Sequence, residues 1–371
     1  MKSNRGSFAL IFLLIAGCGN RGIDTSTLSD TGSAIAIHPM IVSRASHCST
    51  LLPNGKVLIT GGFDANGHTL SSAELFDPDT RTFTITGSMA VPRLSHTATL
   101  LVNGKVLVAG GLNGGYLASA ELYDPSTGKF TLTSPMTGPR SDHVAQLLDN
   151  GKVLLAGGVG SGYTFLAGAE VYDPTTNSFA VTGSMSVPRE SHAIALLTNG
   201  KVLITGGHKD RHEAITIFSS AELYDPNDGT FSTTGNMAIR RHKHDATQLP
   251  NGKVLISGGA DERDDRGAYT STELYDVTTG TFTMAENMNV TRYKHKGTSI
   301  LMNNGTVLLI GGASVTEIYD PATNTISRAK SSINATRLFA AATALGNGDV
   351  LFTGGYGPNI AASAQAWLFQ P

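Results

Sequence analysis

The residues with the clearest chemical potential in this chain are arginine and histidine, which recur together at one spacing. Seven segments carry the arginine: Arg44, Arg93, Arg140, Arg189, Arg241, Arg292 and Arg337. A histidine follows three positions later in six of them: His47, His96, His143, His192, His244 and His295, with Ala340 in the seventh. Histidine is a common metal ligand, so six repeated histidines raise the hypothesis of a metal site.

A glutamate recurs with the same period, which favours a structural interpretation instead. It occupies six units, with Trp367 in the seventh: Glu74, Glu121, Glu170, Glu222, Glu273 and Glu317. Side chains repeated once per unit are spread evenly through a fold, so few of them could converge on one ion. We therefore expect structural Arg–Glu pairs, partly buried and hydrogen-bonded, and we assign no metal ligand and no cofactor.

The elements that position these residues are visible in a repeated segment. "LLPNGKVLITGG" at residues 51–62 has six relatives, which end at Gly111, Gly158, Gly207, Gly259, Gly312 and Gly355. A period of roughly 50 residues is typical of a propeller or a solenoid. Each period contains four short β-prone runs, and an Asn-Gly pair between the first two favours a tight hairpin. Each unit is therefore predicted to form one four-stranded antiparallel blade.

Paired glycines at the end of the second run, "ELYDP" in the third and "M…R" before the next unit resemble the Kelch repeat. The resemblance covers residues 34–371 and implies an all-β fold, a seven-bladed β-propeller of four-stranded blades. The last unit lacks a fourth strand, whereas "AIAIHPMIVSRASH" at the other end supplies a spare one. We predict that this N-terminal strand closes the last blade, with Ile37 near Leu368, because closure removes open sheet edges.

The same resemblance implies a possible enzyme, since Kelch-type propellers include the copper radical oxidases such as galactose oxidase. In those enzymes an adjacent Tyr-His pair supplies two copper ligands, and another tyrosine is cross-linked to a cysteine. His47-Cys48 invites the comparison, but no tyrosine directly precedes a repeated histidine, and Tyr293 falls one position early. The missing tyrosines disfavour copper radical chemistry.

The N-terminus predicts export. Lys2 and Arg5 precede an apolar run and then "LIAGC", which resembles the lipobox of bacterial lipoproteins. We predict a signal peptide over residues 1–18 with lipidation at Cys18, a flexible tether over 19–33 and the propeller over 34–371. This places the protein in the bacterial cell envelope, at an outer membrane or cell surface, with membrane contact through the lipid alone. The alternative is an ordinary signal peptide in which Cys18 is incidental.

Recognition is expected on the face that carries the arginines, because loop length and residue type vary there while the opposite turns are short. The residue two positions after each arginine varies, with Phe339 in the seventh unit, and two long charged loops add further polar groups. The candidate ligand-binding residues are Ser46, Ser95, Asp142, Ser191, Lys243, Lys294, His208, Lys209, Arg211 and Asp261. The alternative is that these loops are merely solvated.

Composition and motifs narrow the function further. A formal net charge of −2 gives no basic character of the kind that nucleic-acid binding requires. The sequence has no Gly-x-Ser-x-Gly elbow, phosphate-binding loop or His-Glu-x-x-His helix. We predict a lipid-anchored, non-catalytic module that binds a protein or a glycan. The alternatives are a carbohydrate-active enzyme, oxidase-like or mutarotase-like, and a purely structural role in the envelope.

Overall fold

The repeated units fold as seven four-stranded antiparallel sheets, which are the blades of a β-propeller. The computed structural model describes residues 32–211, 214–261 and 267–371. Local chemistry explains the hairpins: in the first blade, Asn54 Oδ1 accepts a hydrogen bond from Lys56 N, and Gly55 has φ +81°. This positive φ is the conformation that the Asn-Gly pair was expected to supply. The predicted fold class is confirmed.

The strands fall into four sets according to their position in the blade. The first strands are Cys48–Leu51, Thr97–Leu100, Val144–Leu147, Ala193–Leu196, Asp245–Gln248, Ser299–Leu301 and Ala341–Ala344. The second strands are Val57–Thr60, Val106–Ala109, Val153–Ala156, Val202–Thr205, Val254–Ser257, Val307–Leu309 and Val350–Thr353. The third strands are Ala73–Asp77, Ala120–Asp124, Gly168–Asp173, Ala221–Asp225, Thr272–Asp276, Glu317–Asp320 and Ala366–Gln370. The outer, fourth strands are Thr82–Ile85, Lys129–Leu132, Ser178–Ser184, Thr230–Thr233, Thr281–Met284, Thr325–Arg328 and Ser33–Ile37.

Two small hairpins project from the third and fourth blades. Their strands are Val159–Gly160 with Thr164–Phe165, around the 3-10 turn Ser161–Tyr163, and His208–Lys209 with Thr216–Ile217. Both hairpins follow a Gly-Gly pair, so they stand on the face that carries the arginines. Within the described residues, no helix combines the length and apolar character that crossing a membrane requires.

The ring closes as the sequence predicted. Ser33–Ile37 pairs antiparallel with Ala366–Gln370, so that Ile35 lies opposite Leu368 and Ile37 opposite Ala366. The strand begins at Ser33, one residue before the boundary expected between tether and propeller. The predicted signal peptide, Cys18 and all but the end of the tether lie outside the described residues.

The apolar core is built between blades rather than inside one sheet. Leu58 and Ala73 of the first blade, for example, share one buried cluster with Val106, Val108 and Tyr123 of the second. Since each blade buries its faces against two neighbours, the second strands are apolar on both sides and almost fully buried. The first strands of successive blades contact one another all the way round, and they enclose a central channel.

The Gly-Gly pairs are required where neighbouring blades meet. In the second blade, Gly110 has φ +66°, and a Cβ there would lie 2.5 Å from the carbonyl oxygen of Arg140 in the third blade. The next residue, Gly111, donates its N–H to that same carbonyl at 2.8 Å. The backbone-to-backbone approach therefore leaves no room for a side chain.

Candidate functional site

The repeated arginines and glutamates form buried pairs inside six blades. The pairs are Arg44–Glu74, Arg93–Glu121, Arg140–Glu170, Arg189–Glu222, Arg241–Glu273 and Arg292–Glu317, with N–O distances of 2.8–3.0 Å. In the first blade, Arg44 also donates to the carbonyls of Gly61 and Ser72, both at 2.9 Å. Glu74 in turn accepts backbone N–H groups from Ile41 and Val42. These bonds tie the linker that enters each blade to its second and third strands.

The seventh blade departs from this pattern because Trp367 replaces the glutamate. Arg337 stacks over the Trp367 ring at 5.6 Å and donates to Gln365 Oε1. A cation–π contact and one neutral acceptor thus take the place of the ion pair.

Five of the six repeated histidines lie within hydrogen-bond distance of the preceding blade through Nε2. His96 Nε2 lies 2.9 Å from Thr60 Oγ1 of the previous blade, and His47 Nε2 lies 2.9 Å from Thr353 Oγ1 across the ring closure. Burial, followed by the charge of Arg44, lowers the pKa of His47 to about 3, so the imidazole is neutral at physiological pH. Among the described residues, no three His, Cys, Asp or Glu side chains are grouped so that they could hold a metal ion. The repeated histidines therefore form no such group.

The variable residues that follow the arginines share one backbone conformation. Ser46, Ser95, Asp142, Ser191, Lys243, Lys294 and Phe339 all have φ between 51° and 55°, although none is glycine. A left-handed φ at a non-glycine residue is uncommon and costs about 1–2 kcal/mol. Its repetition in every blade shows that the fold enforces it.

These seven residues stand around the mouth of the channel, and we call the set the mouth ring. Backbone hydrogen bonds link neighbouring members: Lys294 N donates to Lys243 O at 3.0 Å, Phe339 N to Lys294 O at 2.9 Å, and Ser46 N to Phe339 O at 2.9 Å. Within the described residues six of the seven neighbouring pairs are linked in this way, and the pair without such a bond is Asp142 and Ser191. The left-handed backbone and these hydrogen bonds position the variable residues at the mouth of the channel.

One side of the mouth ring borders a cavity of about 540 Å³, the mouth cavity. Five of the ten predicted ligand residues line it: Asp142, Ser191, Lys243, Lys294 and Arg211. Ser46 and Ser95 line a different cavity of about 320 Å³, which lies along the channel. The structure thus brings five of the predicted residues together at one cavity, four of them charged, and places Ser46 and Ser95 at another.

The remaining three predicted residues, His208, Lys209 and Asp261, do not line the mouth cavity. His208 is buried, and Lys209 follows it in the same short strand. Asp261 is also buried, and its carbonyl oxygen lies 3.0 Å from His242 Nε2. The charged loop that continues from Asp261 through residues 262–266 lies outside the described residues.

The mouth cavity contains functional groups that the sequence did not single out, above all Glu190. Its carboxylate accepts hydrogen bonds from Arg211 Nη2, the shorter at 3.0 Å. Burial, followed by the charge of Asp142, raises the pKa of Glu190 to about 7, although Arg211 and Lys243 oppose the shift. A carboxyl group with this pKa exchanges protons readily at neutral pH.

Aromatic rings hold the basic side chains of the cavity. The Arg211 guanidinium lies 5.2 Å from the Tyr163 ring centre, and Tyr163 packs edge-on against Tyr116 at 5.9 Å. The ammonium of Lys294 lies 5.8 Å from the Phe339 ring and 3.4 Å from Tyr356 Oη. These contacts restrict the two cations in position, and the aromatic faces supply an apolar wall.

Glu190 lies beside two buried histidines, His208 and His242. His242 Nε2 lies 3.0 Å from the Asp261 carbonyl, which can only accept, so this nitrogen carries a proton. In neutral His242 the other nitrogen, Nδ1, must then accept from His208 Nδ1, 3.1 Å away. The lone pair of neutral His208 consequently lies on Nε2, which is 4.0 Å from Glu190 Oε1. At this separation Glu190 and His208 are neighbours, but the two atoms lie beyond hydrogen-bond distance.

The sequence did contain a signal for this cluster. Glu190 and His242 directly follow their arginines, where the other blades have Ala45, Leu94, Ser141, Tyr293 or Leu338. All of these residues except Tyr293 form a β-bridge with the residue after the Gly-Gly pair, and Glu190 is bridged to His208 in this way. The signal was therefore a charged or polar residue directly after the arginine, at a position that is mostly apolar in the other blades.

The fold places this chain in the class of seven-bladed β-propellers, and the mouth cavity is a polar cavity over one end of the central channel. The chain belongs to the Kelch-repeat family: residues 46–259, more than half of its length, match the KLHDC2/KLHL20/DRC7 Kelch-repeats domain. No curated protein matches it in sequence.

Among solved structures, the chain is similar to one titled "Novel fungal alcohol oxidase with catalytic diversity among the AA5 family, in complex with copper". The TM-score is 0.73 at 16% sequence identity, and the alignment covers 92% of this chain and 76% of the oxidase. A likeness at this identity reports the shared propeller fold.

Proposed function

We propose that this protein is an exported, lipid-anchored binding module whose mouth cavity captures a polar ligand, a glycan in preference to a protein. The observation that carries the proposal is the mouth cavity itself, about 540 Å³ in volume and lined by Lys243, Lys294, Arg211 and the aromatic rings of Tyr116 and Tyr163. A concave site that combines an apolar wall with a few convergent polar groups is typical of small-ligand recognition.

The cavity chemistry favours sugar over an extended protein surface. Aromatic faces pack against the apolar faces of sugar rings, while ammonium and guanidinium groups donate hydrogen bonds to hydroxyl and carboxylate oxygens. The mouth ring fixes the backbone beneath these groups, which reduces the entropy lost when a ligand binds.

Binding to arrays of envelope glycans and to envelope-protein extracts tests the proposal. Replacing Lys243 and Lys294 together with methionine keeps side-chain length and removes both charges, so capture should fall at least tenfold while the melting temperature stays unchanged. The matched control replaces Lys56 and Lys105, which pair with Asp77 and Asp124 at the opposite turns. Equal capture by the two double variants would contradict the assignment of the face. If only a protein is captured specifically, the ligand class in this proposal changes from glycan to protein. If nothing is captured, a structural role is favoured.

The lipid anchor has its own test. The full chain expressed in a bacterium with a labelled fatty acid should incorporate label, and the Cys18→Ser variant should lose both the label and the membrane fraction. Label retained by that variant would remove the anchor from the proposal.

Glu190 favours a second candidate function, acid–base catalysis on a sugar bound in the same cavity. Its pKa of about 7 suits a group that both donates and accepts protons, and Asp142 supplies a second carboxyl group in the cavity. Interconversion of sugar anomers requires only such proton transfers. Following optical rotation of fresh monosaccharides tests this function: turnover that disappears in Glu190→Gln supports it. Turnover unchanged in that variant, or none at all, leaves the binding function alone.

A further inference from the structure

The first strand of the sixth blade contains an insertion that no other blade has. In six units ten positions separate the repeated arginine from the asparagine of the Asn-Gly turn, whereas twelve separate Arg292 from Asn304. The extra length falls at Lys296-Gly297, where Gly297 has φ +71° and the strand starts only at Ser299. This insertion places a lysine inside the channel, where the other first strands carry mostly small side chains.

The neighbouring blade holds the insertion in place. Asp245 of the fifth blade is buried, and its Oδ2 accepts the backbone N–H groups of Thr298 at 3.0 Å and Ser299 at 2.9 Å. The turn that carries Lys296 is therefore fixed from the side, which is how a functional group is preorganised.

Lys296 extends across the channel. Its Nζ donates a hydrogen bond to the carbonyl oxygen of His143, in the third blade, at 3.1 Å. Lys296 and Gly297 line both the channel cavity of about 320 Å³ and a further cavity of about 490 Å³. The hydrogen bond to His143 uses one donor of an amine that has up to three, so the rest of the amine's bonding capacity is open to the channel.

The charged groups around Lys296 disfavour an anion as the ligand of this amine and favour a neutral carbonyl compound. An anion would have to approach Asp142 and Asp245 as well as Lys296, because both carboxylates act on this amine. Lys296 keeps an exposed surface toward the channel, but desolvation by the surrounding blades lowers its pKa, although the charges of Asp142 and Asp245 oppose the shift. A larger neutral fraction makes a lysine a nucleophile, and the natural reaction partner of such an amine is a carbonyl carbon.

We propose that Lys296 is a carbonyl-capturing site that forms an imine with a small hydroxylated aldehyde in the channel. The amine lone pair forms a C–N bond to the aldehyde carbon, and one amine proton moves to the former carbonyl oxygen to give a carbinolamine. The nitrogen then loses its second proton and forms the C=N bond as the C–O bond breaks, and the protonated hydroxyl group leaves as water. Asp142 lines the same cavity and can transfer the proton that the departing oxygen needs. The hydroxyl groups of Ser46, Ser95 and Thr97 line the cavity beside it and suit a hydroxylated substrate. This site does not depend on the ligand at the mouth.

Reductive trapping on the full chain tests the proposal. The protein is incubated at pH 7 with glycolaldehyde and cyanoborohydride, and the modification rate of each lysine is measured by peptide mass spectrometry. Lys296 is expected to react at least tenfold faster than the exposed Lys129, which serves as the internal reference. Its rate should also reach half of its maximum at a lower pH. A rate at Lys296 equal to or below that at Lys129 would overturn the proposal, and this comparison needs no variant.

Two variants test whether fast trapping at Lys296 is due to the groups around it rather than to its exposure alone. Asp142→Asn removes a charge that raises the pKa of Lys296, so the rates are compared at the pH where each is maximal. The maximal trapping rate at Lys296 should then fall several-fold while that at Lys129 stays unchanged, whereas equal maximal rates would remove Asp142 from the proposed step. Deleting Lys296 and Gly297 restores the spacing of the other blades, so the chain should fold with an unchanged melting temperature and lose the fast-reacting site. A fast adduct that persists in this deletion would show that another lysine is responsible and would overturn the assignment.

Discussion

Replacing Glu121 by glutamine tests whether the buried ion pairs hold the blades together. The Glu121 carboxylate is fully buried and accepts from Arg93 Nη2 at 2.8 Å, Ala90 N at 2.7 Å and Val91 N at 3.2 Å. Glutamine has nearly the same shape, but its amide nitrogen must face one of these donors. Arg93 would also keep its charge with no counter-charge, in a site where water cannot replace it.

The expected cost follows from this geometry. Removing one partner of a buried ion pair destabilises a protein by about 3–5 kcal/mol, because the remaining charge stays desolvated. The control in the same blade is Lys105→Met, which removes an exposed ion pair with Asp124 at 3.1 Å and should cost about 0–1 kcal/mol. Comparing the two substitutions therefore shows how much of the loss in stability comes from burial of the ion pair rather than from the charge pairing itself.

Urea denaturation measures the difference with two probes. Far-UV circular dichroism follows all seven blades, while fluorescence follows Trp367, the one tryptophan of the chain, which is buried in the last blade. With a denaturant slope of about 3 kcal/mol/M, the Glu121→Gln midpoint should fall by roughly 1–1.7 M in both signals. A shift no larger than that of Lys105→Met would refute the reasoning. A shift in circular dichroism alone would show that the blades do not unfold as one ring.

Three further predictions concern closure, the mouth ring and pH. Removing residues 1–37 should expose Trp367 and broaden the unfolding transition because the last blade loses its outer strand, whereas removing residues 1–31 should not; similar fluorescence of both truncations would count against the strand-closed ring. Lys243→Gly should raise stability by roughly 0.5–1 kcal/mol and Lys243→Val should lower it by about 1–3 kcal/mol, because φ is left-handed there, and thermal melts showing the same effect for both would rule out enforced strain. Burial raises the folded-state pKa of Glu190 from 4.5 to about 7, so the folded chain binds more protons than the unfolded chain between these values, and stability should fall as pH rises through this window. Urea midpoints from pH 4.5 to 8 should show that slope in the wild type and not in Glu190→Gln, and identical slopes would contradict the shift.

Much of the architecture could be predicted from the sequence, because each blade repeats its own local chemistry. The Asn-Gly turns, the apolar "KVLITGG" runs and the paired glycines are short-range signals, and each recurs often enough to identify the repeat. The closure near Ile37 and Leu368 also followed from the repeat, since a missing strand at one end matched a spare strand at the other. The family match and the paired strands confirm this part.

The candidate site was harder to predict from the sequence, because its residues come from several blades and meet only where those blades are neighbours in the ring. Lys243 and Lys294 were found because they vary at a repeated position, and they do line the mouth cavity. Glu190 and His242 were missed since each was judged alone, although they interrupt a layer that is mostly apolar in the other blades. Lys296 was missed because a two-residue change in spacing has no meaning until the strand is placed in a channel.

By itself, the sequence determined the repeat, the number of blades, the strand that closes the ring and the face on which variation collects. These depend on turns, periodicity and apolar patterning, which act over a few residues or once per unit. Only the tertiary structure decided that the variable residues adopt left-handed backbone and form a ring, that Glu190 has a pKa of about 7, and that Lys296 reaches the third blade. Those properties arise from desolvation and from contacts between distant blades, and both exist only once the ring has closed.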